Sequence, residues 1–311
     1  MLSKKRPQRV IGVDIGSTAI KMIEVSLSER PKLLKWVSMA NPVGDISFPE
    51  TSERELIKLL KKCRKKLMPA TRISSLCLSD PALIVKELSL PSMGQKELLE
   101  NIRFELSEYF SADLNEFRLS YRYLESTSEA KDLISVLVAA APLSLLRKHR
   151  NLLQSSGLNV KYMDVPANAI SKLLRRIKFK AEKNFYSNQK EVLCVADIGE
   201  KKIDVSIYVD GIYIVNRTSM LDGDNVAEAA LSALSQVVDY YHRKNYSLRV
   251  SKVMLIGGGA YKEGVSEYLS DQSGMTVEVV RPDILYSFDN VPEDFPAALY
   301  FNALGAAIRE D

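Results

Sequence analysis

The chain has 311 residues, 46% hydrophobic and 26% charged, ordinary values for a globular protein and too many residues for one core. Lysine and arginine outnumber the acids 43 to 39, so a charge of +4 does not mark a nucleic-acid binder. Cys63, Cys77 and Cys194 lie far apart without metal-ligand spacing and read as reduced thiols of a cytoplasmic protein, and no run nears the roughly 18 apolar residues of a membrane-spanning helix.

Residues 1–9 are basic, but the apolar stretch that follows breaks at Asp14 and Gly16, which is not a signal-peptide pattern. Val10 to Val13 reads as a strand running into Asp14-Ile15-Gly16-Ser17-Thr18. Strands over Ala19–Leu27 and Lys32–Met39 complete an antiparallel meander. Trp36, among apolar neighbours, reads as core. Ser52 with Glu55 has the spacing of a capping box for a basic helix to Leu67. Strands follow at Leu76–Leu78 and Leu83–Leu90, then an amphipathic helix at Glu97–Tyr109 and strands at Phe117–Leu124 and Leu133–Ala141. Pro142 opens a helix that ends near Gly157, and Val160–Val165 is a strand before a second basic helix, to Lys183. The polar segment Asn184–Lys190 marks the main boundary.

The opening pattern then returns. Val192–Ala196 runs into Asp197-Ile198-Gly199, with strands at Ile203–Val209 and Ile212–Thr218 joined at Asp210-Gly211. An acid–glycine turn recurring in the same setting points to two lobes of common construction. A helix over Asn225–Asn245 leads to a strand, Lys252–Ile256, that ends in Gly257-Gly258-Gly259. A helix from Tyr261, a strand near Val277–Val280 and a helix over Ala297–Ile308 close the chain.

Such turns suit phosphate. Gly16 lets oxygens approach, Ser17 and Thr18 offer hydroxyl and backbone donors, and Lys21 adds charge. Asp14 repels phosphate but can anchor Mg²⁺ through its retained waters, and Asp197, with Gly199 beside it, can do so from the other lobe. Bare backbone at Gly257, Gly258 and Gly259 permits a base or ribose to lie against the strand end. Two such turns in repeated contexts, with a third glycine-rich one, carry more weight than any one alone. His149 and His242, isolated from other ligands, read as surface residues. The basic stretches Lys58–Lys66 and Lys172–Lys183 read as solvated helix faces, or as favouring an anionic surface such as an inner leaflet.

These three segments resemble the two phosphate motifs and the adenosine motif of the actin, hexokinase and heat-shock chaperone superfamily. Within it the chain looks most like the PilM family of type IV pilus assembly and less like FtsA. Further resemblance lies in Glu87-Leu88-Ser89-Leu90-Pro91, Val136-Leu137-Val138-Ala139-Ala140, Ser156-Gly157-Leu158 and Val237-Val238-Asp239-Tyr240-Tyr241. The resemblance implies an α/β, actin-like (ribonuclease H-like) duplicated fold. Its first lobe would take residues 1–70 and 142–187, a small α+β domain inserted there 71–141, and the second lobe 188–311. It implies ATP and Mg²⁺ as cofactors, held by the residues above together with Gly223. The partner it implies is the cytoplasmic N-terminal peptide of PilN, a bitopic inner-membrane protein, bound between the insert and the first lobe. Membrane contact would come only through that partner; no nucleic acid is implied, and self-association stays open.

The chain departs from the family pattern at Glu200-Lys201-Lys202-Ile203, where a hydroxyl is expected, and at Asp222-Gly223-Asp224, where a glycine pair is. At the turn where related ATPases orient water it has Val165-Pro166, with Asp164 and Asn168 nearby. Slow or absent hydrolysis is therefore expected. The end at Arg309-Glu310-Asp311 lacks the amphipathic anchor of FtsA. Two alternatives stand beside the scaffold reading: a small-molecule kinase, which needs a placed base, and a nucleotide-free scaffold of the type II secretion kind.

Overall fold

A computed structural model of the chain describes residues 8–44, 50–109, 113–124, 133–177, 190–221, 225–244, 248–250 and 252–309. Strands β1 (Arg9–Ile15), β2 (Ala19–Ser26) and β3 (Lys32–Ala40) form the opening meander, and α1 (Glu50–Leu67) crosses to β4 (Ile73–Cys77). Next come β5 (Ile84–Pro91), α2 (Gln95–Tyr109), β6 (Phe117–Tyr123) and β7 (Leu133–Pro142), then α3 (Leu143–Ser155), β8 (Asn159–Asp164) and α4 (Pro166–Arg176). The second half has β9 (Val192–Ile198), β10 (Lys202–Val209), β11 (Ile212–Met220), α5 (Val226–Lys244), β12 (Lys252–Ile256), α6 (Val265–Ser273), β13 (Thr276–Val279) and α7 (Ala297–Ala307).

The sheet orders state the duplication. One five-stranded sheet runs β3-β2-β1-β4-β8 and the other β11-β10-β9-β12-β13, each with an antiparallel meander followed by two parallel strands. The turns match bond for bond. The Gly16 amide donates to the Ala19 carbonyl and the Gly199 amide to the Lys202 carbonyl, both at 2.9 Å. The register then sets Asp14 opposite Lys21, and Asp197 opposite Asp204. Central strands are buried on both faces: Val10, Ile11 and Val13 in β1, and Val192 through Ala196 in β9, are closed to solvent.

Helix α1 buries Leu56, Leu60, Cys63 and Leu67, a 3.6-residue stripe, against the first sheet and against Leu152 and Leu153 of α3. The apolar α7 is central. A Cβ on Gly12 of β1 would stand 1.9 Å from the Ala303 carbonyl oxygen, and one on Gly305 would stand 2.3 Å from that of Ala169 in α4. Only glycine permits these two approaches. Ahead of α7, the Leu33 amide donates to the Asp289 carbonyl, and half-buried Trp36 meets Phe295 edge-on at 5.2 Å, so the expected core tryptophan joins the lobes.

Several expectations change. The insert's own sheet is β5-β7-β6, whereas β4, placed by sequence in segment 71–141, pairs with β1 and β8 in the first sheet. Ser52 lies inside α1, which begins at Glu50, so it does not cap it. The triple glycine leads into a short 3₁₀ turn, Gly258–Tyr261, and α6 starts only at Val265. His149 is buried, with its Nδ1 on the Leu145 carbonyl at 3.0 Å. Asn184–Lys190, as far as residue 189, and Gly223 lie outside the described residues. Among the described residues no helix is long and apolar enough to cross a membrane.

Candidate functional site

The two acid–glycine turns and the triple glycine converge on one cleft. Asp14, Gly16, Ser17, Thr18 and Lys21 line it from the first lobe, and Asp197, Gly199, Gly257, Gly258 and Gly259 from the second. All the described sequence-predicted site residues are thus brought together. Asp14 is buried, Thr18 exposed, and Lys21 spans the meander to Asp14 Oδ2 at 2.9 Å. Burial works against the Lys21 ammonium, but Asp14, with Asp197 beyond it, outweighs burial and raises its pKa.

Two of the three glycines have a packing requirement of their own. A Cβ on Gly257, which has a φ of 85°, would stand 2.4 Å from Asp197 Oδ1, and one on Gly259 would stand 2.3 Å from Ile198 Cγ2. These two glycines let the 3₁₀ turn pack on the end of β9. Gly258 is different: its Cβ would meet only Leu299, at 3.9 Å, so its backbone is open to the cleft.

Three residues that sequence reasoning missed complete the electrostatics. Lys202 Nζ lies 2.8 Å from Asp204 Oδ2 and donates to Ser79 Oγ of the first lobe at 2.6 Å, bridging the cleft. Asn302 of α7 donates through Nδ2 to Asp197 Oδ2 at 2.6 Å, while its Oδ1 is buried without a donor. The alternation of β10 puts Lys202 and Asp204 on one face, a signal readable once the repeat is aligned; nothing local marked Asn302. Burial first, then the neighbouring Asp204, push the Asp197 carboxyl up to about 6, with Lys21 acting the other way.

Among the described residues no three His, Cys, Asp or Glu side chains gather closely enough to cage a metal directly. A cation here would be held through its waters, as the sequence expects of Asp14 and Asp197. Each described cleft acid also has a partner: Asp14 has Lys21, Asp204 has Lys202, Asp197 has Asn302 and Glu200 has Lys262.

Asp164 and Asn168 line a different cavity, of about 280 Å³, between the insert and the first lobe. Asp164 takes Lys172 Nζ at 2.7 Å and Asn168 Nδ2 at 2.8 Å. Lys172, expected on a solvated face, is buried and also donates to the Ile308 carbonyl at 2.6 Å. Burial lowers its pKa against the pull of Asp164. Tyr121, Arg122 and Arg309 also line it.

The chain is similar to a protein of the PilM–PilN type IV pilus biogenesis complex, with 23% identity over 96% of this chain and 97% of that one and a TM-score of 0.75. It is similar to a Bacteroides thetaiotaomicron protein with an actin-like ATPase fold, with 10% identity, 90% and 93% coverage and a TM-score of 0.50. It is also similar to the cytoplasmic domain of EpsL, an inner-membrane component of the Vibrio cholerae type II secretion system, with 12% identity, 96% and 93% coverage and a TM-score of 0.50. At such identities the likeness shows the fold, which is actin-like. The model of one family, type IV pilus assembly protein PilM, matches residues 12–234, more than half of the chain, and the chain belongs to that family.

Proposed function

We propose that this protein is a nucleotide-dependent scaffold of type IV pilus assembly, taking ATP with Mg²⁺ in the cleft and a membrane protein's cytoplasmic tail beside the insert. The observation that carries the nucleotide reading is a charge imbalance. Asp14, Asp197, Asp204 and Glu200 line the cleft against Lys21, Lys202 and the Lys262 that reaches Glu200, Asp197 is held near a pKa of 6, and the buried Asn302 Oδ1 lacks a donor. The cleft is one cation short, and an aquo cation brings both the charge and the water donors it lacks.

When bound, Mg²⁺ supplies the positive charge that lets polyphosphate lie among carboxylates. The chain's own residues do the rest. Asp14 and Asp197 would hold the ion's waters, Asn302 orients the Asp197 carboxylate, and the backbone at Ser17 and Gly258 would face the phosphates, with side-chain-free Gly16 and Gly199, whose amides close their turns, letting them approach. Lys21 and Lys202 would exchange their carboxylates for phosphate. The cavity of about 180 Å³ is below the roughly 300 Å³ typical of small-molecule pockets, so a nucleotide enters only as the lobes part or these lysines swing aside. Parting would break the Lys202–Ser79 bridge.

For the partner, the PilM–PilN complex among the similar structures supports a PilN-like protein as the ligand. The cavity lined by Tyr121, Arg122, Asp164, Asn168, Lys172 and Arg309 lies where the family resemblance puts the peptide. Strand β6 supplies Ser120–Arg122 to it and is an edge strand of the insert's sheet, so its backbone suits an extended segment. Nucleotide and peptide sites are distinct, and only a difference in affinity between open and closed lobes couples them.

A nucleotide-free scaffold is favoured by one observation: both lysines are already satisfied by carboxylates. Calorimetry with ATP, with and without Mg²⁺, on the wild type and Asp14→Ala decides. Mg²⁺-dependent binding lost in the variant supports the nucleotide scaffold; no binding by the wild type establishes the empty one.

A further inference from the structure

The outer face of the first lobe carries charge that its fold does not require. On α1, Leu56, Leu60, Cys63 and Leu67 point to the core, and Arg54, Lys58, Lys61, Lys62 and Lys65 form the opposite stripe, all exposed. From Arg54 to Lys65 this stripe runs about 16 Å along the helix. Lys58, Lys61, Lys62 and Lys65 make no ion pair among the described residues. The helix beside it, α3, is joined to α1 by the Arg64 Nε bond to the Ser156 carbonyl at 3.0 Å, and it exposes Arg147 and Arg150. Cations in the last turn of a helix complement its dipole, but that effect fades within one turn and does not reach Lys58 or Lys61.

The duplication supplies an internal control. Helix α5 makes the same crossover in the second lobe, from the third strand to the fourth, and exposes Glu228, Ser232, Ser235, Gln236, Asp239 and Tyr240 along its length, with Arg243 and Lys244 confined to its last turn. The crossover folds equally well with an outer face of no net charge, so the cationic one answers to something outside the fold.

We propose that the α1–α3 face docks directly on an anionic phospholipid surface, and so touches the membrane without the help of a protein partner. Its chemistry selects that occupant. The face is lysine-rich, and long mobile ammonium groups suit a diffuse anionic surface better than the planar bidentate contacts that favour arginine. Neither helix exposes an aromatic ring on which a nucleic-acid base could stack, since His149 is buried. Exposed Met68, directly after the stripe, adds one apolar side chain. The inference does not depend on nucleotide binding in the cleft.

The test is co-sedimentation of the full chain with phosphatidylcholine vesicles, with and without phosphatidylglycerol, at rising salt. The expected result is binding only to the anionic vesicles, weakened by salt. The combined Lys58→Glu, Lys61→Glu, Lys62→Glu and Lys65→Glu variant should lose about a hundredfold in affinity. A control with Arg217→Glu, Arg243→Glu, Lys244→Glu and Lys262→Glu has the same net charge and keeps most of its binding if the face is specific. Circular dichroism confirms that both variants fold, and a misfolded quadruple variant is replaced by Lys58→Gln with Lys61→Gln. The proposal is overturned if the wild type ignores anionic vesicles, if the two reversals lose equally, or if duplex DNA competes the protein off the vesicles at physiological salt.

Discussion

In the first lobe the residue opposite the turn's aspartate is Lys21; in the second it is Asp204. The backbone around them is the same, down to the hydrogen bond that closes each turn. The first turn is therefore neutral by itself, while the second keeps a surplus carboxylate after Lys202 has paired with Asp204. Duplication repeated the scaffold and divided the electrostatics: one turn is satisfied alone, and the other holds Asp197 with a proton affinity far above that of an ordinary aspartate. A cleft between identical halves would hold either too much negative charge or too little.

The comparison breaks most sharply at Gly12. The register makes Val195 its counterpart in β9, a fully buried side chain, whereas Gly12 lies under the α7 backbone. Gly12→Val, which makes β1 resemble β9, is expected to cost about 3 kcal/mol or more. Urea unfolding measures it, and a loss under 1 kcal/mol would show that α7 does not sit as described.

Asp197→Asn sharpens the electrostatic contrast. The native carboxyl holds its proton up to about pH 6, whereas an unfolded aspartate releases it near 4, so the native state is favoured below that range and loses stability as pH rises through it. The variant should therefore be more stable at pH 7, by about 1–2 kcal/mol after allowance for partial exposure, with a flatter stability profile between those pH values. Magnesium-dependent nucleotide affinity should fall at the same time. Stability measured against pH without nucleotide isolates the first effect.

Lys21→Ala is the mildest. It removes a partly buried pair, so about 1 kcal/mol is expected at neutral pH. Because Lys21 also lowers the Asp197 pKa, its removal should move that titration upward. Carboxyl-selective NMR on the wild type and variant reads the shift; an unmoved titration would separate the two turns electrically.

The repeat of Asp-Ile-Gly, the order of strands and the cleft residues were legible in the sequence because each rests on local chemistry: an apolar run, a glycine turn, a recurring acid. What escaped depends on elements distant in sequence. Lys172 sits in a basic run but finds Asp164 and the end of α7 in the interior. Asn302 lies on an apolar helix with nothing to signal that it meets Asp197. Gly257 and Gly259 were legible as special, yet the close approach they permit is to Asp197 and Ile198. Strand β4 followed a basic helix and preceded the insert, and only its pairing with β1 shows which side it belongs to.

The position of α7 bears on how the chain is made. Its backbone covers Gly12 of β1, the Ala298 carbonyl receives the Gly257 amide, Asn302 reaches Asp197, and the Ile308 carbonyl just beyond it receives Lys172. During synthesis the first strand leaves the ribosome almost 300 residues before this helix does. Until then the face of β1 that α7 will cover must stay open, and its contacts are among the most distant in sequence that the chain can form. Such closure is slow and leaves apolar surface exposed to aggregation, so the growing chain is a natural client for chaperones, and its first lobe completes its packing last.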